Sequence, residues 1–426
     1  MPPRLLPPGR NPTPVEPAAT RLRGSTANRR SGKFVRVNNE NPRTERVGLS
    51  DALLAYAVAM ILLITLAPFQ FATPSRVNPL VVGGLGDAVA NVVLFIPPGF
   101  LWRLSRPRPN DRWALSALAA GLLLSACVEL TQVFLPGRYP AVLDVLTNGA
   151  GAMLGALLHD QLRRRVPTET SSARRLTLEQ PLMLVLYMLI PLMWLNGLAV
   201  VEAPMATLRL LMLGLFGASI LAAVQRRYLG PSGYLSRRGA TLAALGGYLS
   251  GAFPALLVRP VAVLLHGAIV ALFCAYLASG KAGRMRTERR FERSALLRAA
   301  PFFAAYLLLL PLVTPDSALP GTPVNRIFIL EIVQMVAATS VLGFMVAEAR
   351  GRTSLRYTDS VGWVICWSAV AAGITGVMAT AVGTGVLGAT RLLVSVAAGV
   401  FGGWIYQLQR NRIVRGSATN IPRHRT

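Results

Sequence analysis

Apolar runs of about twenty residues recur along most of this chain, and each is long enough to cross the hydrocarbon core of a bilayer as a helix. Spans are expected near 52–70, 88–102, 113–135, 145–160, 181–200, 205–224, 239–258, 260–279, 295–313, 327–347, 361–382 and 386–407. The second and fourth are short, and only Val258-Arg259-Pro260 separates the seventh from the eighth. Composition agrees: 15% of residues are charged and the mean hydropathy is +0.48, against about 25% charged in soluble domains. The expected fold is therefore an all-α polytopic membrane protein of about 12 transmembrane helices.

A net charge of +26 could point to nucleic acid. Nucleic-acid binders gather basic residues on a folded soluble face, whereas here arginines flank the apolar runs. Cytoplasmic loops carry an excess of Lys and Arg, and a cytoplasmic N-terminus puts 38 of the 44 on that side. The exceptions are Arg76, Arg138, Arg209, Arg259, Arg326 and Arg391. The expectation is a multi-pass cell-membrane protein with both termini cytoplasmic. Residues 1–50 read as a disordered basic tail, without the short apolar core and cleavage site of a signal peptide. The first span is then a signal anchor. Three four-span regions follow, 52–160, 181–279 and 295–407, and 408–426 forms a second basic tail.

Cys127, Cys274 and Cys366 lie far apart within apolar runs, with no CxxC pair, and support neither a disulfide framework nor a zinc site. With only His159, His266 and His424, histidine-based metal or triad chemistry is disfavoured. No cofactor is implied. Small residues at helix-packing spacing, Gly151 with Gly155, Gly247 with Gly251 and Gly399 with Gly403, are expected to let helices approach closely.

Polar residues inside the runs carry the functional signal. Glu129 and Gln132 share one face near the end of the third span. Pro136-Gly137-Arg138 reads as a tight turn, after which Asp144 and Asn148 open the fourth span one turn apart. Folding at that turn should bring Glu129, Gln132, Arg138, Asp144 and Asn148 together at the outer boundary. Asp87 and Asn91 repeat the Asp144–Asn148 spacing at the start of the second span. Asp near a helix N-terminus also has a purely structural role, capping the helix and countering its dipole. Glu129 has no such explanation, and an ionisable group at membrane depth marks a functional site or an internal ion pair. Arg138 and Arg391 are its candidate partners. A hard cation held by Asp87, Glu129 and Asp144 would suit oxygen ligands, but no metal motif supports it.

Asp87-Ala-Val-Ala-Asn91-Val-Val-Leu-Phe95-Ile-Pro97-Pro-Gly99-Phe resembles the N-x-x-x-F-x-P-x-G signature of VanZ-like membrane proteins. Thr65-Leu66-x-Pro68-Phe69, Glu129-x-x-Gln132-x-Phe-x-Pro-Gly137-Arg138, Asp144-Val and Asn148-x-x-Gly151-x-x-x-Gly155 resemble the rest of it, in order. The resemblance covers about residues 52–160. It implies a cell-envelope protein linked to resistance to the glycopeptide antibiotic teicoplanin, with no established mechanism. By carry-over it makes Asn91, Glu129, Gln132, Arg138, Asp144 and Asn148 the functional candidates. The chain departs from the family's minimal four-to-five-span domain by being much longer. Glu331 and Gln334 echo the Glu-x-x-Gln spacing in the tenth span, a hint that 295–407 is a degenerate repeat, with Arg391 a counter-ion for Glu331 or Glu129. Glu348 and Asp359 could mimic the Glu-to-Asp spacing, but a basic loop between them puts that copy inside.

Three functions compete. The first is binding or modification of an anionic lipid or lipid-linked cell-wall intermediate at the outer face. Arg138 would meet a phosphate or carboxylate, Asn91, Gln132 and Asn148 would bind, and Glu129 or Asp144 would act as general acid or base. Its partners are membrane lipids and no nucleic acid. The second is a multi-span transporter of a small solute or lipid, although the loop after the second span, Gly99-Phe-Leu-Trp-Arg-Leu-Ser-Arg, lacks the acid of a Gly-x-x-x-Asp-Arg motif. The third is a non-catalytic scaffold whose polar residues lock helices together.

Overall fold

The computed structural model describes residues 49–66, 69, 71–73, 84–106, 113–136, 140–165, 181–200, 206–228, 237–279, 288–312, 324–350, 358–382 and 388–418. Most of the expected basic tails, Pro68 and Arg138 lie outside them. The described residues form thirteen α-helices. The first four are α1 (Leu49–Leu66), α2 (Leu85–Ser105), α3 (Trp113–Gln132) and α4 (Val142–Arg165). Next come α5 (Pro181–Ala199), α6 (Thr207–Tyr228), α7 (Arg237–Gly251), α8 (Phe253–Val258) and α9 (Pro260–Ser279). The last are α10 (Glu288–Leu312), α11 (Val324–Arg350), α12 (Thr358–Ala381) and α13 (Ala389–Ala418).

Eleven of these helices are long and apolar enough to cross a membrane, which makes the protein an all-α polytopic membrane protein. The seventh expected span, 239–258, is not one of them. It is broken into α7 and α8 at Ala252. Pro254 supplies the reason, because it has no N–H to donate and its ring disfavours the helical conformation at the preceding residue. The ladder still bridges the break, Ala252 N–H donating to Tyr248 O at 2.8 Å and Leu256 N–H to Ala252 O at 3.0 Å. Fifteen residues rise only about 22 Å, so α7 reaches the length of a crossing only together with α8.

Burial separates a hub from a periphery. Two-thirds or more of the spans in α5 and α6 is buried inside the protein, against less than a quarter of those in α3 and α12. The hub packs Phe216, Phe303, Tyr306 and Phe344 without exposure, while α3 and α12 turn leucines, valines and tryptophans outward.

The tightest packing is between α2 and α4, which run parallel. A Cβ on Gly151 would collide with the Val92 carbonyl, one on Gly155 with the Ile96 carbonyl, and one on Gly99 with that of Ala152. Backbone therefore lies on backbone, as the small-residue spacing of Gly151 and Gly155 led one to expect. Pro97 and Pro98, inside α2, lie at this crossing. α3 runs antiparallel to α4, with Gly121 against Gly149 and Ala152. Gly247, by contrast, faces open space and packs no helix, and the small-residue contact of α13 with α11 uses Gly399 and Gly402.

Candidate functional site

The parallel run of α2 and α4 places both N-termini at one end, beside the C-termini of α1 and α3. Two helix N-termini side by side sum to roughly one positive charge, and acidic residues enter at this point. Asp87 is the third residue of α2 and its Oδ2 accepts the Gly84 N–H at 3.1 Å, which satisfies one backbone donor at the start of the helix. Asp144 is the third residue of α4. Asn91, one turn below Asp87, hydrogen-bonds the Asp144 side chain, and the Asp87 carboxylate lies close enough to Asp144 to repel it. The i, i+4 pattern of the sequence thus becomes a cross-helix cluster of two carboxylates and an amide.

Glu129 closes α3 against the start of α4. It is buried, and its Oε2 accepts the Ala141 N–H at 2.9 Å, while Asp144 N–H donates to Ala141 O at 3.1 Å. Glu129 therefore holds the start of α4 through a side-chain-to-backbone hydrogen bond. Asp87, Glu129 and Asp144 do not form a metal group. Among the described residues no three His, Cys, Asp or Glu side chains are placed to hold an ion, since Glu129 is turned onto the Ala141 amide.

Gln132 and Asn148 also have structural partners. Gln132 Nε2 donates to Thr65 O at 2.9 Å and so ties α3 to the end of α1. Asn148 lies one turn deeper, its Nδ2 donating to Ser125 Oγ at 2.8 Å, while its buried Oδ1 has no hydrogen-bond partner. The chain leaving α1 reaches the same end: Phe69 turns at φ 60°, and Ala72 N–H donates to Phe134 O at 2.8 Å. Phe71, Phe134, Leu85 and Val142 are exposed around the polar cluster.

Sequence reasoning missed the group at the opposite end of the same two helices. Arg103 Nε lies 3.0 Å from Asp160 Oδ1, and His159 Nδ1 is also 3.0 Å from that oxygen. Phe100 packs against His159 at 5.1 Å between ring centroids, edge to face. Arg103 looks like an ordinary loop cation in the sequence, and nothing local links it to an acid on α4.

Two further features lie outside these four helices. Arg209, buried near the start of α6, donates to the Leu309 and Leu310 carbonyls at 3.2 and 2.6 Å, at the end of α10. Arg391 pairs with Glu331 at 3.0 Å, as one of its two expected partners, and Gln334 Nε2 donates to Leu195 O at 3.1 Å. Between α5, α6 and α7 lies an apolar cavity of about 230 Å³. Tyr248, whose buried hydroxyl has no hydrogen-bond partner, lines it with Gly214, Gly217 and Gly247.

No curated protein and no solved structure matches the chain. The model of the VanZ/LLP1 family matches residues 35–163, a segment that contains the α2–α4 interlock and every described residue of the polar cluster. This multi-pass membrane protein therefore carries a VanZ-like family domain in its first four helices.

Proposed function

We propose that the VanZ-like domain binds, and chemically modifies, an anionic lipid or lipid-linked cell-wall intermediate at the outer face of the cell membrane, in connection with glycopeptide resistance. The observation that carries this reading is the convergence of Asp87, Asn91, Glu129 and Asp144 on one end of a four-helix unit. The alternation of basic loops orients that end outward and both termini inward. Exposed Phe71, Phe134, Leu85 and Val142 surround the cluster with apolar surface, which suits an amphipathic ligand with chains in the bilayer and a head group at the cluster. Arg138 supplies the cation for a phosphate or carboxylate. Asp144, beside Asn91 and Asp87, is the better placed acid or base, and Glu129 holds the start of α4.

The test is complementation of a deletion strain with Glu129→Gln, Arg138→Ala or Asp144→Asn, reading teicoplanin susceptibility and the profile of lipids and peptidoglycan precursors. Loss of complementation by Arg138→Ala and Asp144→Asn at normal expression is the expected result. Wild-type behaviour of all three would end the proposal. The apolar cavity between α5, α6 and α7 favours one second reading, lipid transport, which predicts substrate-dependent lipid flux in proteoliposomes.

A further inference from the structure

We infer that α11, α12 and α13 are a second, in-register copy of α2, α3 and α4, in which an internal ion pair has closed the polar end and left the molecule one open copy. In the first unit Gly155 packs on the Ile96 carbonyl and Gly99 on that of Ala152. In the second, Gly402 packs on the Ser340 carbonyl and Gly343 on that of Gly399. The intervals are identical on both helices: Ile96 to Gly99 matches Ser340 to Gly343, and Ala152 to Gly155 matches Gly399 to Gly402.

Contacts that played no part in setting this register obey it. Phe100 and His159 meet edge to face at 5.1 Å, and the residues that the register pairs with them, Phe344 and Tyr406, meet edge to face at 5.6 Å. The third helices agree as well. Gly121 packs on Ala152, and its counterpart Ser368 lies against Gly399. The buried stripe Ala117, Gly121, Ser125, Glu129, Gln132 on α3 becomes Val364, Ser368, Ala372, Gly376, Ala379 on α12, every position again buried. Helix packing in a membrane follows many small-residue patterns, but shared packing style does not reproduce an aromatic pair and a buried stripe at the same offsets.

The register also says what changed. Asp87 corresponds to Glu331 and Asp144 to Arg391, so two facing carboxylates have become the 3.0 Å Glu331–Arg391 pair. Asn91, Ser125, Glu129, Gln132 and Asn148 correspond to Met335, Ala372, Gly376, Ala379 and Ser395. The Glu331–Gln334 echo of Glu129–Gln132 is thus not the repeat signal, because Glu331 stands where Asp87 stands. The carboxylates and carboxamides of the first unit's open end are lost or neutralised in the second, where Ser395, at the position of Asn148, keeps the one small polar side chain of that set. That the second copy is functionally silent rests on the proposed role of the first.

Reciprocal substitutions test this. Asp144→Arg writes the second copy's ion pair into the first, against Asp87, and is expected to raise the melting temperature of the purified protein or leave it unchanged. Arg391→Asp writes the acid pair into the second copy and is expected to lower it, with Glu331→Arg/Arg391→Asp restoring it. If Asp144→Arg lowers the melting temperature as much as Arg391→Asp does, the shared register is wrong. In the deletion strain, the stable swap Glu331→Arg/Arg391→Asp should complement fully, and loss of complementation would show that the second copy is not silent. A stable Asp144→Arg protein that still complements would refute the proposed site while leaving the duplication standing.

Discussion

Adding one methyl group at Gly155 should cost this protein stability, although alanine is the better helix former. In an exposed helix, Gly→Ala gains about 1 kcal/mol. At Gly155 the new Cβ meets the Ile96 carbonyl, with the Phe100 amide nitrogen 2.8 Å away. Both obstacles are backbone, so no side-chain rotation relieves them and α2 must move away from α4. Forcing an extra methyl into a packed interior costs about 1–3 kcal/mol, and the backbone obstruction puts this case at the upper end of that range. The net expectation is a loss of about 2 kcal/mol. Gly247→Ala is the matched control, since nothing lies within 4 Å of its Cβ position, and there the gain of about 1 kcal/mol stands alone. Thermal melting of each purified variant in one detergent, followed by tryptophan fluorescence, reads the difference. Gly155→Ala should melt below wild type and Gly247→Ala at or above it. Equal melting of the two variants would refute the claim that α2 and α4 pack backbone to backbone.

Two other substitutions separate structure from chemistry. Glu129→Ala strips the Ala141 N–H of its acceptor and should destabilise by about 1–3 kcal/mol, whereas Glu129→Gln keeps an acceptor oxygen at the same reach and should melt close to wild type; melting curves of the two variants decide it. Arg209→Met removes two charged hydrogen bonds to the end of α10, each of a kind worth about 1.5–3 kcal/mol. It should loosen that end, read as faster proteolysis or hydrogen exchange at residues 305–312, and unchanged protection there would count against it.

How much of this was legible beforehand follows from the range of the forces involved. Span length is a local quantity matched to bilayer thickness, so the helices could be read from the apolar runs, and residues 52–160 could be matched to the VanZ-like pattern by their spaced signature. The Pro254 break was visible in principle, since proline acts on its own neighbours, yet its consequence depends on how far the ladder survives across Ala252. Asp87, Asn91 and Asp144 stood out as polar residues, but their meeting needs α2 and α4 parallel and in one register. The Arg103–Asp160 pair spans two helices and has no local trace.

By itself, then, the sequence determined that this is a multi-span helical membrane protein with a VanZ-like segment, because hydrophobic length and motif spacing are properties of contiguous residues. Tertiary structure alone decided which helices touch, that Glu129 serves the start of α4, and in what register the last three helices pack on one another. Those outcomes depend on which small residues face each other across the bundle. Lipid is as apolar as the helices themselves, so the choice of neighbour is made by close packing and buried polar pairs, not by hydrophobicity.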